Sequence, residues 1–299
     1  MQKIFFLTLF ILTFSLSFGQ QVPDDSYDPE IKNPAYDRGK GPIVFLDEAH
    51  ENFHTADNRY RPFVKLLEND GYVIKPSTLK ISRDVLQQCS IFVISVPMSK
   101  DKKSAYTREE IRILRDWVSD GGSLLLITDH MPDVPAIADL ASAFGIELLN
   151  GYVLNEAPGE DVGPIFFKRS DGTLTEHPIT LGRIEYDEKI NSVTSFTGCA
   201  FKADTDFYPL MIFGSFKISW MTKEADKFPP DTPKINVEGW YQGGVMEIGE
   251  GRMAFFGEAG MFTAQIIKRR NIKFGMNVPF AKENHQFLLN IFHWLSGIL

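Results

Sequence analysis

Acidic and histidine side chains follow directly on two short apolar runs of this 299-residue chain. The first cluster comes after the run 43–46 and consists of Asp47, Glu48, His50, Glu51, Asn52 and His54. The second comes after the run 124–127 and is the pair Asp129 and His130. Carboxylate and imidazole groups act as general acids and bases, and both bind zinc, manganese or iron. The two clusters therefore predict acid–base or metal-assisted chemistry.

The predicted catalytic residues are Glu48, Asp129 and His130. Asp129 or Glu48 would act as the general base and His130 as the acid, because groups in different environments hold different pKa values. The structural alternative is that Asp129 caps the helix after it and that His130 packs in the turn. The position of both residues after an apolar run favours a function, since ligands of open parallel sheets bind at strand ends.

His50 and His54 are the predicted ligands of a divalent metal, and with Glu51 they formally match the H-E-x-x-H motif of zinc proteases. That motif needs both histidines on one face of a regular helix. Here it begins three residues after a predicted strand, in a sequence rich in turn-forming residues. A metalloprotease is therefore a third hypothesis, which requires a helix through residues 50–54.

Four further residues are predicted to bind the ligand: Asp47, Asn52, His177 and Glu258. Asp47 and Asn52 belong to the first cluster. His177 precedes a proline, which holds it extended in a loop that can reach over the site or simply form a turn. Glu258 follows another apolar run, where a helix N-terminus would also favour a carboxylate for structural reasons.

Strand and helix patterns alternate in the first half of the chain. Short apolar runs predict buried strands at 41–47, 72–75, 91–96 and 124–127. Helical spacing predicts helices at 59–69, 84–88, 107–119, 133–144 and 283–296. Thr107 and Glu110 form a capping box, and 245–256 reads as a hairpin. This order predicts an α/β fold with a flavodoxin-like parallel sheet, helices on both faces and an inserted region of loops and short strands.

The N-terminus has the three regions of a secretory signal peptide. Lys3 gives a positive start, an apolar run follows, and small residues precede a cut after Gly19. We expect residues 1–19 to be removed, the protein to be periplasmic or secreted, and no membrane span to remain, because the run is too short to cross a bilayer. An extended leader at 20–40 and a single domain at 41–299 are predicted to follow, with the insertion at about 150–240.

Composition excludes several classes of protein. The net charge of -8 and the lack of a long basic run argue against a nucleic-acid partner. Two cysteines, Cys89 and Cys199, exclude a disulfide-rich scaffold, and we expect both to be buried thiols. The chain has no G-x-G-x-x-G after a strand, no Walker A loop and no G-x-S-x-G elbow, which argues against nucleotide and ordinary serine-hydrolase chemistry.

Four segments resemble the class I glutamine amidotransferase-like superfamily: FLDEAH at 45–50, GGSLLLITDH at 121–130, GEAGMFTAQ at 257–265 and NIFHWL at 290–295. The chain is most similar to an exported DUF4350-type group and, more distantly, to ThuA-like proteins. The resemblance extends over 41–299 and implies the flavodoxin-like fold.

The same resemblance also bears on activity. True amidotransferases carry a nucleophilic cysteine at a strand-to-helix turn, and the matching turn here is Thr128-Asp129-His130, with no thiol. The resemblance therefore implies no cysteine amidotransferase activity. ThuA-like members have a histidine near this turn and are linked to sugar metabolism, which implies a role for His130 and a carbohydrate-derived ligand.

We therefore hypothesise an exported enzyme that hydrolyses a small polar or carbohydrate-derived substrate, with a role in polysaccharide utilisation. The alternative is a non-catalytic module that binds a glycan or a protein. In that alternative the side chains of Trp220, Trp240 and Tyr241 would stack on sugar rings beside the site.

Overall fold

Short apolar runs form strands and amphipathic runs form helices in the computed structural model, which describes residues 21–101, 103–269 and 271–299. The strands are β1 (Gln21–Pro23), β2 (Ile43–Asp47), β3 (Val73–Ser77), β4 (Ile91–Ser95), β5 (Ser123–Ile127), β6 (Ile146–Leu149), β7 (Tyr152–Asn155), β8 (Ile165–Lys168), β9 (Ser192–Ser195), β10 (Ala200–Ala203), β11 (Tyr208–Ile212), β12 (Lys217–Trp220), β13 (Lys234–Asn236), β14 (Tyr241–Ile248), β15 (Gly251–Phe256), β16 (Ala264–Ile267) and β17 (Ile272–Gly275). The α-helices are α1 (Arg61–Asn69), α2 (Arg83–Leu86), α3 (Arg108–Ser119), α4 (Val134–Ser142), α5 (Pro178–Leu181) and α6 (Asn284–Leu295).

Five parallel strands form one half of the main sheet, in the order β3-β2-β4-β5-β15. Every residue of β4 and β5 is buried, because strands covered on both faces cannot alternate apolar with polar side chains. The helix α3 begins at the predicted capping box of Thr107 and Glu110. The parallel arrangement brings the carboxyl ends of β2, β4, β5 and β15 to one edge of the sheet.

Side chains of the parallel strands alternate between two hydrophobic cores. Val93 and Leu125 lie in one core together with residues of α1 and α6. Phe92 and Leu124 lie in the other core together with residues of α3 and α4. Successive residues of a strand face opposite sides of the sheet. Helices therefore cover both faces, as predicted.

The main sheet is mixed, which corrects the prediction of a parallel sheet. Beyond β15 it continues with β14, β10 and β6, all paired antiparallel, and β11 also pairs with β14. The predicted hairpin is present as β14 and β15, joined by Gly249 and Glu250. A turn this short can join only antiparallel neighbours, and it thereby ends the parallel half.

The region predicted as an insertion, at about 150–240, is partly built into the main sheet. It contributes β10 and β11 to that sheet. The remaining strands of the region form a three-stranded sheet of β7, β12 and β13 and a two-stranded sheet of β8 and β9. Short strands were expected in this region, but the irregular sequence did not locate them, because each is only three to five residues long.

The segment 21–40, for which an extended leader is predicted, packs onto the domain. The strand β1 pairs with β16, and Tyr27, Ile31 and Tyr36 pack against the first core. These apolar side chains, spaced through a polar segment, account for the packing. The predicted signal peptide lies outside the described residues. In the part of the chain that the structure describes, no helix is long and apolar enough to cross a membrane.

Cys89 and Cys199 are free thiols. Cys199 is buried, as expected, whereas Cys89 is half-buried. Burial raises the pKa of the Cys89 thiol to about 12 and raises the pKa of Cys199 still further. Both groups therefore keep their protons at neutral pH.

Candidate functional site

A cleft of about 320 Å³ opens where the parallel strands end. Val96 follows β4, Asp129 and His130 follow β5, and Glu258 follows β15 shortly after its last residue. His54, from the loop after β2, also lines the cleft. Four of the nine predicted site residues therefore come together at the edge where open α/β sheets bind their ligands.

Asp129 and His130 stand side by side at the end of β5. One carboxylate oxygen of Asp129 accepts the His130 backbone N–H at 2.8 Å, and the other accepts the Ala259 N–H at 3.4 Å. His130 Nδ1 lies 2.6 Å from the carbonyl oxygen of Met131. Because a carbonyl only accepts, Nδ1 carries the proton, and the basic nitrogen of the neutral ring is Nε2. Nε2 lies 3.7 Å from Asp129 Oδ1.

A second carboxyl group, that of Asp133, reaches the cleft just before α4. Its side chain makes no capping hydrogen bond to the helix. The pKa of Asp133 is raised to about 7, chiefly by burial and also by the negative charges of Asp129 and Asp226, while His130 opposes the rise. A large share of Asp133 therefore keeps its proton at neutral pH, unlike an ordinary aspartate.

Glu258 forms part of the cleft wall and also holds the backbone behind it. Its two carboxyl oxygens accept the N–H groups of Gly260 at 2.7 Å and Met261 at 2.8 Å. Burial and the charge of Asp129 raise its pKa well above the usual range, although these N–H donors act in the opposite direction. The structural role expected for Glu258 at a helix start is thus present, at the short 3₁₀ turn Gly260–Phe262.

Tyr152 and Asp226 close the side of the cleft next to His130. The rings of His130 and Tyr152 stack with centroids 4.0 Å apart and planes at 25°. The Tyr152 hydroxyl accepts the backbone N–H of Asp226 at 3.2 Å. Burial raises the pKa of the Asp226 carboxyl group. This wall therefore adds a third aspartate to the site and fixes the plane of the histidine ring.

The backbone of Val96 is strained where it borders the cleft. Its φ of 45° lies in the left-handed region, which β-branched residues avoid. Its N–H donates to the Ile127 carbonyl at 2.9 Å, and its carbonyl accepts the Phe53 N–H at 2.9 Å. These bonds hold the strained conformation and bring the loop after β2 over the end of β4. Strain of this kind concentrates at functional sites.

Asp47 and His50 form a buried structural network instead of lining the cleft, which corrects both predictions. His50 Nδ1 lies 2.9 and 2.7 Å from the two Asp47 oxygens, and Nε2 lies 3.0 Å from Glu110. The Tyr106 hydroxyl also donates to Asp47 at 2.8 Å. With both ring nitrogens engaged by carboxyl groups, His50 joins the loop after β2 to the start of α3. It does not fit the role of a metal ligand.

Glu48 and Asn52 also lie outside the cleft lining, so the geometry does not support a base or a ligand-binding residue there. One oxygen of Glu48 accepts the Ala56 N–H at 2.8 Å. The Asn52 carbonyl oxygen accepts the His50 N–H at 3.1 Å, and its amide group points toward Asp47. Both side chains hold the loop after β2, as polar residues in tight loops commonly do.

His177 caps the short helix α5, away from the cleft. Its Nδ1 accepts the Ile179 N–H at 3.2 Å, and its ring packs edge-on against Trp294. Burial lowers the pKa of His177 to about 4, with a smaller effect from the positive charge of Arg252. The predicted ligand-binding role of His177 is therefore replaced by capping, which the extended residue before a proline is well placed to provide.

His54 lines the cleft as a neutral, packed ring. It stacks on Tyr60 with centroids 4.5 Å apart, and its Nδ1 lies 3.2 Å from Ser95 Oγ. Burial lowers the pKa of His54 to about 3, and the positive charge of Arg59 contributes. Among all residues described, no group of three or more His, Cys, Asp or Glu side chains is arranged to hold a metal ion. The predicted metal pair of His54 with His50 does not fit.

The metalloprotease hypothesis is wrong. Residues 49–54 form bends and irregular backbone, with Glu51 at a φ of 51° and no helical turn among them. The zinc-protease motif needs its two histidines one helical turn apart on a regular helix. In this chain His50 is enclosed by carboxyl groups while His54 faces the cleft, so the two rings serve different parts of the fold.

Sequence reasoning missed Asp133, Asp226 and Gln265, which all line the cleft. A signal existed for Asp133, because a carboxylate at a helix start just after a strand end is a common functional position. The sequence around Asp226 carries no comparable signal. It reaches the cleft because β12 pairs with β7, with Trp220 opposite Tyr152, so the loop after β12 lies beside Tyr152.

The aromatic residues named for the binding alternative do not line the cleft. Trp220, Trp240 and Tyr241 are all absent from its described lining. The ammonium group of Lys234 lies 3.9 Å over the Trp220 ring, and that of Lys202 lies 4.3 Å over the Trp240 ring. One face of each indole is thus already covered by a cation. The binding alternative loses the residues on which it was based.

No protein-family model matches the chain, and no curated protein matches it in sequence. Among solved structures, the N-terminal domain of mmIFT52 is similar with a TM-score of 0.61 and 15% identity, over 85% of this chain and 97% of that one. The cytoplasmic protein STM3548 from Salmonella typhimurium has a TM-score of 0.50 and 14% identity, over 85% and 99%. At these identities the likeness shows the fold alone.

A putative ThuA-like protein from Bacteroides uniformis is also among the structural neighbours. It has a TM-score of 0.47 and 14% identity, over 90% of this chain and 94% of that one.

Proposed function

We propose that the cleft is the active site of a hydrolase that acts on a small polar or carbohydrate-derived substrate by general acid–base catalysis. One observation carries the proposal: the pair Asp129 and His130 shares the cleft with Asp133, whose pKa burial raises to about 7. Groups whose environments push their pKa values apart can serve as acid and base at the same pH. Asp133 would be the acid, and His130 the base.

In the proposed step, His130 Nε2 takes a proton from a water molecule as the water oxygen bonds to the substrate carbon. Asp129 stabilises the imidazolium that forms. Asp133 gives its proton to the leaving oxygen as the carbon–oxygen bond breaks. The products are the hydrolysed substrate and an alcohol. Proton transfer from the imidazolium to Asp133 through solvent restores the starting state, so atoms and charges balance.

A divalent metal was the cofactor suggested by the first sequence cluster. Because His50 and His54 do not fit a metal site, the proposed step uses none. Measuring turnover after incubation with zinc or manganese, and again after chelation, tests this part of the proposal. Turnover that depends on an added metal would contradict it.

We also propose that the chain belongs to the class I glutamine amidotransferase-like superfamily, within its exported DUF4350-type group. The four matching segments support this assignment, and the lack of a thiol at Thr128-Asp129-His130 supports hydrolysis without a cysteine nucleophile. The signal-peptide pattern of residues 1–19 supports export to the periplasm or the medium. A role in polysaccharide utilisation follows if the substrate is derived from carbohydrate.

The proposed function is tested by a hydrolysis screen with glycosides and sugar esters. On any substrate that is turned over, Asp129→Ala and His130→Ala should each lower kcat/KM by roughly 10²–10⁴-fold, the usual contribution of acid–base groups. The matched control is Asp139→Asn, an exposed aspartate of α4 outside the cleft, which should keep full activity. Unchanged activity in both cleft variants would contradict the proposal.

The second candidate is a non-catalytic module that binds a sugar or a protein segment. The cleft itself offers the observation in its favour, because Phe53, Tyr152 and Phe274 give it aromatic walls. This candidate predicts ligand binding with no turnover of any substrate. It also predicts that Asp133→Asn leaves affinity nearly unchanged, since no proton needs to be transferred.

A further inference from the structure

The polar side chains that line the cleft are mainly hydrogen-bond acceptors. Asp129, Asp133, Asp226 and Glu258 contribute four carboxyl groups. Among the described residues of the lining, none is a lysine or an arginine. A concave surface with charges of one sign attracts ligands of the opposite sign and excludes ligands of the same sign. The lining therefore favours a cationic ligand over a phosphorylated or carboxylated one.

Gln265 gives an independent indication of the ligand. The residue lines the cleft, is 2% exposed, and has a side-chain Oε1 atom with no hydrogen-bond partner in the described structure. The Thr263 hydroxyl donates its proton to the Gly260 carbonyl at 2.8 Å, so it can only accept from Gln265 Nε2, at 2.9 Å. This network fixes the orientation of the amide. A buried acceptor without a donor is unfavourable, and a ligand N–H or O–H would satisfy it.

Aromatic rings supply the remaining walls. Phe53, Tyr152 and Phe274 line the cleft beside the carboxyl groups. The Arg59 guanidinium lies 4.0 Å over the Phe53 ring, from a position outside the cleft lining. Ring faces bind cations and also the C–H faces of sugars. The volume of about 320 Å³ is at the lower end of the usual range for ligand sites, about 300–1,000 Å³, which suits a single sugar unit.

We propose that the ligand of this cleft is a small sugar that carries a protonated amine, of the class of unacetylated amino sugars. The inference rests on the proposed function for the place of the site and adds the class of substrate. The ammonium group would lie between the carboxyl groups of Asp129 and Asp226, so that Asp133 keeps the proton that the proposed step requires. A hydroxyl or ammonium hydrogen would be donated to Gln265 Oε1. N-acetylated amino sugars and neutral sugars carry no positive charge, so neither would make this contact.

The electrostatics of the cleft agree with this ligand. Burial and mutual repulsion raise the pKa values of Asp133 and Glu258, and burial raises that of Asp226. A bound ammonium beside Asp129 and Asp226 would stabilise the ionised carboxylate of Asp226 and so lower its pKa. Binding should therefore release a proton from Asp226 and become tighter as the pH rises through its raised pKa, while the amine keeps its own proton.

The test compares glucosamine, N-acetylglucosamine and glucose by isothermal titration calorimetry with the whole protein. At about pH 6.5 and low salt, glucosamine should bind about tenfold tighter than either other sugar, the effect of one charge-assisted hydrogen bond. Its affinity should fall at about 0.5 M NaCl, where exposed charges are screened. Equal binding of the three sugars, or no binding of glucosamine, would overturn the inference.

Two buried glutamines provide matched variants. Gln265→Leu should weaken glucosamine binding about tenfold, because it removes the acceptor oxygen. Gln242→Leu is the control, since Gln242 is equally buried and also has an unpartnered Oε1, but does not line the cleft. Equal losses in the two variants would contradict the role of the Gln265 oxygen. If Gln265→Leu does not fold, Asp226→Asn replaces it and should likewise weaken binding of glucosamine more than that of glucose.

The inference about the ligand and the proposed hydrolase function can each be overturned without the other. Turnover of neutral glycosides without glucosamine binding would overturn the inference and leave the proposed hydrolase standing. Glucosamine binding without turnover of any substrate would overturn the proposed hydrolase and leave the inference about the ligand standing.

Discussion

The imidazole of His130 lies against the phenol ring of Tyr152, with ring centroids 4.0 Å apart. Tyr152 begins β7, which belongs to the small sheet of β7, β12 and β13, whereas His130 follows a central strand of the main sheet. The Tyr152 hydroxyl also accepts the N–H of Asp226. One tyrosine thus orients the proposed base and anchors the loop that carries a third aspartate. The cleft depends on two sheets, not on one.

Substitution of Tyr152 should separate these two roles. Tyr152→Leu removes the ring stack and is expected to lower kcat/KM by up to about tenfold, the equivalent of an aromatic pair worth about 0.5–1.5 kcal/mol. Tyr152→Phe keeps the stack and loses the hydroxyl that holds Asp226, so it should raise KM more than it lowers kcat. Steady-state kinetics on both variants provide the measurement. Identical kinetics in Tyr152→Leu and wild type would show that the stack does not position His130.

Asp133→Asn should stabilise the protein above neutral pH. The unfolded carboxyl group ionises near 3.8, whereas the folded one keeps its proton to about pH 7. The folded state therefore binds more protons in this range, and the free energy of unfolding falls as the pH rises from about 4 to about 7. Asparagine does not ionise, so the Asp133→Asn variant does not lose stability in this way. The expected gain at about pH 8 is about 1–3 kcal/mol, below the value that the full shift implies, because Asp133 remains partly exposed.

Urea unfolding at about pH 5 and about pH 8 measures this gain, with Asp139→Asn as the matched control on α4. The control should show no gain that grows with pH. If Asp133→Asn is no more stable than wild type at the higher pH, burial does not hold a proton on Asp133, and the proposed acid is lost with it.

His50→Ala should destabilise the fold without changing metal content. The substitution leaves the buried carboxyl groups of Asp47 and Glu110 without the imidazole between them. Removal of one partner of a buried charged pair typically costs about 3–5 kcal/mol. Urea unfolding measures the loss, and elemental mass spectrometry measures bound metal in parallel. If the variant is stable but has lost a stoichiometric metal that the wild type binds, His50 is a metal ligand and this account is contradicted.

Glu258→Ala should cost about 1–3 kcal/mol, because the N–H groups of Gly260 and Met261 lose their acceptors. Glu258→Gln keeps one acceptor oxygen and should cost less. Burial raises the pKa of Glu258, so its favourable contribution is largest at low pH and declines as the pH rises. Chemical denaturation should therefore show a larger loss for Glu258→Ala at about pH 5 than at about pH 8. An equal loss at both values would contradict this account of the carboxyl group.

The main-chain pattern of the first half was predictable because each element carries a local signal. Apolar runs predicted the buried strands, and the capping box of Thr107 and Glu110 predicted the start of α3. The strand-end rule then placed Asp129 and His130 at the correct edge of the sheet. The antiparallel half of the main sheet could be predicted only in part from the sequence, because β10 and β11 are short strands whose partner β14 lies far along the chain.

The first cluster shows why site residues are harder to predict than elements. Asp47, His50 and His54 have the same side-chain chemistry as a catalytic site, and the sequence places them at a strand end. The structure pairs Asp47 with one ring nitrogen of His50, and the other ring nitrogen contacts Glu110, sixty residues after His50. No local pattern reveals such a partner. Asp226 presents the opposite case, a cleft residue in a proline-rich segment with no local signal of function.

The central claim is that Asp133 is the acid of a hydrolytic site. The most direct test is the pH dependence of kcat/KM for the wild type and Asp133→Asn, on the best substrate from the hydrolysis screen. We predict that wild-type kcat/KM falls above about pH 7 as Asp133 loses its proton, and that Asp133→Asn is slower by roughly 10²–10⁴-fold without this alkaline decline. A variant with wild-type activity and the same alkaline decline would contradict the claim.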